Sequence, residues 1–131
     1  MNTIRILLWA LAFILAFIVI FMPETSAKAE APAIQDIKTY SIERVIEEFG
    51  GGQWSAFNQI IYRESRWNHL AQNSKSSAYG YAQFLNSTWE TVGCVKTSDQ
   101  YKQIDCAIKY IEERYDTPKK ALSFHQKHNW Y

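Results

Sequence analysis

The chain has no surplus of charge. Its 131 residues carry 14 Lys and Arg against 13 Asp and Glu, and no basic stripe runs along any segment, so no nucleic-acid partner is expected. No window alternates apolar and polar residues long enough to call a strand, and no segment repeats. Two histidines, His125 and His128, sit at i, i+3, but there is no third ligand and no His-Glu-x-x-His pattern, so neither a metal nor another cofactor is expected. Acid is missing too: from residue 65 to residue 89 there is neither Asp nor Glu. Cysteine is reduced to Cys94 and Cys106.

One long apolar run is present, over residues 6–22, preceded by Arg5 and followed by Pro23 and then Ala27-Lys28-Ala29. A basic start, an apolar middle and an Ala-x-Ala site describe a secretory signal peptide cut after Ala29. The run falls just short of a membrane span of about 20 residues, so an uncleaved N-terminal anchor through residues 6–22 is the alternative. No cysteine directly follows the run, which excludes a lipoprotein anchor. Cleavage would remove Arg5, Lys28 and Glu24 and leave a net charge of zero. The expected division is 1–29 as signal or anchor, 30–38 as linker and 39–131 as one small domain, exported and monomeric. Export permits a disulfide, and Cys94 with Cys106 is the one candidate pair.

The rest reads as all-α. Ser41 to Phe49 forms a helix stopped by Gly50-Gly51-Gly52. A second helix covers 54–64, and a polar loop with at most a small hairpin covers 65–79. Ser87 is the expected N-cap of a short helix through Val92. Asp99 starts the longest helix, with Ile104, Ala107, Ile108, Ile111 and Tyr115 on one face. Thr117 followed by Pro118 reads as an N-cap and an N1 proline opening the last helix, through about His128.

Trp54, Phe57, Ile61 and Glu64 are spaced to share one helical face, while Arg63 points away. A carboxyl at the edge of an apolar face loses hydration, which raises its pKa, and a carboxylic acid protonated near neutral pH can act as a general acid. The spacing alone fits equally a glutamate frayed into solvent at a helix end, or one paired with Arg63 or Arg66.

The residues downstream carry a resemblance. Glu64-Ser65 closes the helix, Asn73 and Ser76-Ser77 follow, Ala78-Tyr79-Gly80-Tyr81-Ala82-Gln83 makes an Ala-x-Gly-x-x-Gln turn, and Ser87-Thr88-Trp89 begins the next helix. Together these resemble the lytic transglycosylase family of the lysozyme superfamily. The likeness covers most of residues 40–131 and is sharpest between 60 and 90. Many members carry a late Ala-x-Tyr-Asn-Ala-Gly segment whose tyrosine sits near the catalytic acid. Here the counterpart is Ala121-Leu-Ser-Phe124-His125-Gln126, and Phe124 has no hydroxyl. His125 and Tyr110 are the candidates to replace it. The ending Asn129-Trp130-Tyr131 resembles short secreted relatives.

The resemblance implies a lysozyme-like helical domain acting on peptidoglycan glycan strands. Glu64 would protonate the leaving oxygen of the MurNAc-β-1,4-GlcNAc bond, the 2-acetamido group would support the developing oxocarbenium ion, and Glu64 would then take the proton of the sugar's C6 hydroxyl. The ring closes to a 1,6-anhydro end and no water is consumed. An ordinary glycosidase needs a second carboxylate, and the acid-free stretch after Glu64 favours the self-assisted route. The expected substrate-binding residues are Ser65, Asn73, Ser76, Ser77, Tyr79, Gly80, Tyr81, Gln83, Phe124 and His125, with Gly80 admitting close backbone approach. Ser65 is expected to support the site rather than react, and Trp67 and Trp89 to be core. Two other readings are a hydrolytic muramidase using Glu90 or Asp105, and a non-catalytic glycan-binding module of the cell envelope.

Overall fold

A computed structural model describes residues 36–131. The signal or anchor and most of the expected linker lie outside the described residues. Helix α1 is Ile37–Phe49, a single 3-10 turn Gly51–Gln53 follows, and then come α2 Trp54–Ser65, α3 Asn86–Thr91, α4 Gln100–Tyr115 and α5 Pro118–His128. Among the described residues there is no strand, only isolated bridges Gln72 to Tyr79 and Tyr79 to Phe84, so the expected all-α class holds and the small hairpin reduces to two bridges. Among the described residues, no helix is long and apolar enough to cross a membrane.

Local chemistry explains most boundaries. Asp99 caps α4 by accepting from the Tyr101 and Lys102 amides, and Thr117 caps α5 ahead of Pro118, both as expected. Two starts differ from the sequence reading. Helix α1 begins at Ile37 rather than Ser41, because the Asp36 carboxylate accepts from the Lys38 and Thr39 amides at 3.2 and 3.3 Å, a cap worth about 1 kcal/mol. Ser41 is instead buried, donating back to the Ile37 carbonyl at 2.6 Å. Ser87 does not cap α3. That helix starts two residues earlier, at Asn86 after an extended Leu85 that makes no side-chain cap, and the Asn86 amide donates to Ser77 Oγ at 3.1 Å. A tertiary contact to the preceding loop sets this start.

The core lies between α2, α4 and α5. The α4 face buries Ile104, Ala107, Ile108 and Ile111 against Phe57, Ile60 and Ile61 of α2 and Ala121 of α5. Helix α1 docks on α4 through Asp105, which accepts from the Tyr40 hydroxyl and from Arg44 Nε, each at 2.9 Å. Trp89 is buried and Trp67 packs partly against the core, as expected of both. The Cys94–Cys106 disulfide is formed and ties the segment after α3 to α4.

The loop from 66 to 85 buries Ala78, Tyr81, Ala82 and Phe84 in the core, and hydrogen bonds fix the rest of its shape. The central group is Gln103 of α4, 2 % exposed. Its Oε1 accepts from the Tyr81 amide at 2.8 Å, and its Nε2 donates to the His69 and Thr97 carbonyls at 2.9 and 2.8 Å. Gly80, at φ +80°, lies against this amide, and a Cβ there would come within 2.5 Å of Gln103 Oε1. The close approach that glycine permits is therefore to Gln103, which corrects the expectation that Gly80 opens the backbone to substrate. Tyr81 is corrected likewise. It is 2 % exposed, packed edge-on against Trp67, and its hydroxyl donates to Gln100 at 2.7 Å, so no ring face is open to a sugar.

Two expectations follow. Gly93→Ala, at φ +68° with only the Lys109 ammonium near, should cost about 1–2 kcal/mol from backbone strain. Gly80→Ala adds displacement of the Gln103 amide and should cost about 3 kcal/mol or more; equal losses in denaturant titrations of the two variants would contradict the packing role. Reducing the disulfide should lower the melting midpoint by about 10–20 °C, since a loop of this size stabilises by roughly 3 kcal/mol. Alkylatable thiols in freshly purified, unreduced protein would contradict the bond.

Candidate active site

Glu64 stands in the last turn of α2, where its stripe-mates Phe57 and Ile61 are fully buried and Arg63 is exposed. The helix ends at once: Arg66 takes φ +52° and donates its amide to the Tyr62 carbonyl at 2.9 Å, and Trp67 follows at φ +61°. Glu64 is thus held at the mouth of the core with a side chain 19 % exposed. Its Oε1 meets His125 Nε2 of α5 at 2.8 Å. Neither Arg63 nor Arg66 is its partner. Of the two candidates for the missing family hydroxyl, His125 makes the contact, while Tyr110 is packed on Phe84, Tyr115 and Tyr131.

Burial raises the Glu64 pKa above its ordinary value, and the hydrogen bond and charge of His125 oppose that without cancelling it. The position at a helix C-terminus works in the same direction as burial, since the negative end of the helix dipole disfavours a carboxylate. Nearby, burial and then the Glu64 charge push the Tyr131 phenol well above its ordinary value, so Tyr131 remains a neutral donor. Its hydroxyl reaches the Ala82 carbonyl at 3.4 Å.

Glu64 opens into a cleft of about 390 Å³. One wall is the turn Ala82, Gln83, Phe84 and Leu85 with Thr88 of α3. The other is Tyr110 and Arg114 of α4 with Asn129, Trp130 and Tyr131. Among the described residues lining it, Glu64 is the one acid. Gln83 holds a left-handed backbone, φ +50°, rare for a residue with a β-carbon. Its Nε2 donates to the Ala71 and Gly80 carbonyls at 3.0 and 2.9 Å, which fixes the strained turn and leaves the amide oxygen for a ligand's hydroxyl or N–H. Strain maintained at a cleft wall is a recurrent mark of functional sites.

The structure brings together Glu64, His125 and Gln83 of the residues expected from sequence. The others do not line this cleft. Ser65 donates to the Ile61 carbonyl at 3.2 Å. Asn73 and Ser76 accept from the Lys75 and Ala78 amides at 2.8 and 3.2 Å, Ser77 accepts from Asn86, and Tyr79 lies beneath the Lys96 ammonium at 5.2 Å. These side chains build the loop that carries the turn. Phe124 packs on Tyr115, His128 and Trp130, with centroids at 5.3, 4.2 and 4.8 Å, and supports the cleft wall from behind. Sequence reasoning missed Arg114, Thr88 and the part played by the aromatic ending. The available signal was the i, i+4 pair Tyr110 and Arg114 at the edge of the α4 apolar face. Glu90 is exposed and Asp105 is engaged by Tyr40 and Arg44; neither reaches the cleft.

Residues 43–129 match the model of the family described as Transglycosylase SLT domain. A search of curated proteins and a search of solved structures returned no match.

A carboxyl whose pKa is raised on folding destabilises the folded state once it must ionise. Below its ordinary value of 4.5 folded and unfolded Glu64 are both protonated. As pH rises above 4.5 the unfolded chain releases its proton first, so stability falls. Glu64→Gln removes this titration. Its melting midpoint should exceed the wild type's at pH 7, and the gap should close toward pH 4. A gap independent of pH, or a less stable variant at pH 7, would show that Glu64 is not held against ionisation.

Proposed function

The chain belongs to the transglycosylase SLT-domain family, and from that premise we propose that Glu64 is the single acid/base of a peptidoglycan lytic transglycosylase. The family's work on peptidoglycan implies a location outside the cytoplasm, in keeping with the signal or anchor read from residues 1–29. The observation that carries the proposal is the isolation of one desolvated carboxyl in the cleft. A two-carboxylate hydrolase would need a partner about 5–9.5 Å away, and the acids proposed for that role, Glu90 and Asp105, are turned elsewhere.

Protonated Glu64 donates to the glycosidic oxygen as the MurNAc-β-1,4-GlcNAc bond breaks. The substrate's own acetamido oxygen supports the anomeric carbon. Glu64, now a carboxylate, takes the proton from the C6 hydroxyl as that oxygen closes on the anomeric carbon. The proton lent in the first step is recovered in the second, so the enzyme leaves the cycle unchanged and the product carries a 1,6-anhydro end. His125 Nε2 holds the carboxyl by one oxygen through both steps and supplies a hydrogen bond that favours the carboxylate stage. The Gln83 amide oxygen and the hydroxyls of Thr88 and Tyr131 are the groups available to orient the sugar.

Glu64→Gln should keep the fold and lose at least the roughly 10²–10⁴-fold that general acid–base catalysis contributes. Mass spectrometry of digested peptidoglycan should find ends lighter by one water than hydrolysed ends. Fully hydrated reducing ends would replace this reading by the muramidase. Intact strands bound by wild type but never cut would replace it by the glycan-binding module.

A further inference from the structure

Arg114 is the cation of the cleft wall. Its guanidinium sits 5.6 Å from the centroids of Tyr110 and Tyr115 and 5.3 Å from that of Trp130. The Tyr115 hydroxyl also interacts with the guanidinium, but five N–H donors are more than that one group engages, so part of the fork remains for a ligand. Among the described residues no carboxylate pairs with it: the ion pairs there engage Arg44, Lys109, Lys120 and His125. Arg114 is exposed, and the described polar groups beside it in the cleft other than Glu64 are neutral. A forked cation held among three aromatic rings, without an acid partner among the described residues and lining a ligand cleft, is suited to receive a planar anion.

We infer that Arg114 is a specificity-determining residue that binds a carboxylate of the glycan strand. This rests on the reading of the cleft as a peptidoglycan site. Peptidoglycan offers that chemistry in two places, the lactyl carboxylate of muramic acid where the stem peptide has been removed, and the carboxylates of the stem peptide itself. Either would make a two-point N–H to oxygen contact with Arg114 while Glu64 acts on the neighbouring bond. A role limited to covering the aromatic rings or balancing the α4 C-terminus asks only for a positive charge, and lysine would serve it.

The test separates binding from turnover on matched soluble strands, using the full chain. One strand is stem-free with its lactyl carboxylates intact, the second is the same strand with those groups converted to methylamides, and the third and fourth carry stem peptides with free or amidated carboxylates. Wild type should show a KM roughly tenfold to a hundredfold lower for a carboxylate-bearing strand than for its amidated match. The pair that shows the preference identifies the source. Arg114→Gln should bring that KM ratio close to one, and Arg114→Lys should leave it intermediate, because the charge remains and the fork does not. A wild type that cuts charged and amidated strands with equal KM, or an Arg114→Gln that keeps the full preference, overturns the inference while leaving the cleavage reading intact. If Arg114→Gln does not fold, as judged by its melting curve, Arg114→Lys decides: an undiminished preference overturns the inference, and a weakened one supports it. A wild type that cleaves none of the four strands removes both this inference and the cleavage reading.

Discussion

The arrangement of the cleft depends on one buried amide. Gln103 has almost no contact with solvent, yet it satisfies the Tyr81 amide and two carbonyls from separate parts of the chain, His69 and Thr97. Each of those groups would cost about 1–3 kcal/mol if buried without a partner. The loop between α2 and α3 is held on α4 by buried side chains such as Phe84, which packs on Tyr110, and these bonds add the polar link that fixes its backbone. Gly80 is the geometric counterpart, since only a residue without a β-carbon fits against the amide at that backbone angle. Once Gly80 and Tyr81 are fixed, the turn brings Gln83 to the cleft wall in its left-handed conformation, and the same scaffold that fixes the loop orients the site.

Glu64 shows the opposite economy of interactions. Gln103 has its hydrogen bonds satisfied, whereas the Glu64 carboxyl has lost most of its water and gained one histidine contact. The result is a group that resists ionisation more than it would in solution but is not locked in the neutral form. A fully apolar setting would hold the proton too tightly to release it to a leaving oxygen; an arginine or lysine paired with the carboxyl would favour the ionised form. The single contact from a buried imidazole falls between these limits. Placing it on α5, which packs directly against α2, means the acid and its partner are positioned by two rigid helices rather than by a loop.

Helices were legible in the sequence where a local rule decides them. The apolar stripe of α4, the Asp99 cap and the Thr117-Pro118 start each depend on neighbours in sequence, and each forms as expected. The Ser87 cap failed because the start of α3 is decided by Ser77, across the loop, and α1 was read short because the Asp36 carboxylate lay outside the apolar periodicity. Within the site, the end of an apolar stripe made Glu64 only an even candidate, and the Ala-x-Gly-x-x-Gln turn that follows it in sequence set it apart. Gly80 and Tyr81 were misread because the motif that identifies the turn does not reveal what lies behind it, and Gln103 is a whole helix away. The local signal for Arg114, its i, i+4 spacing from Tyr110, was weak, since an arginine in the last turn of a helix is unremarkable until aromatic rings from α4 and the Trp130 segment converge on it.

That convergence explains how so small a domain forms a walled cleft. Tyr110 and Tyr115 of α4, Phe124 of α5 and the Trp130-Tyr131 segment make a continuous set of edge-on and tilted ring contacts between 4.8 and 6.3 Å. Each such contact adds about 0.5–1.5 kcal/mol beyond the area it buries, enough in sum to hold a segment that has left the helix. The αL turn at Asn129, with φ +59° and its amide bonded to the His125 carbonyl at 2.7 Å, reverses the chain so that Tyr131 lies against His125. Tyr131 packs beside the His125 imidazole at 5.9 Å, and Trp130 meets the Arg114 guanidinium at 5.3 Å. One reversal therefore places a ring beside the histidine that holds the acid and another beside the cation. The Phe124 ring, which lacks the family's hydroxyl, contributes by supporting that reversal instead of touching the acid.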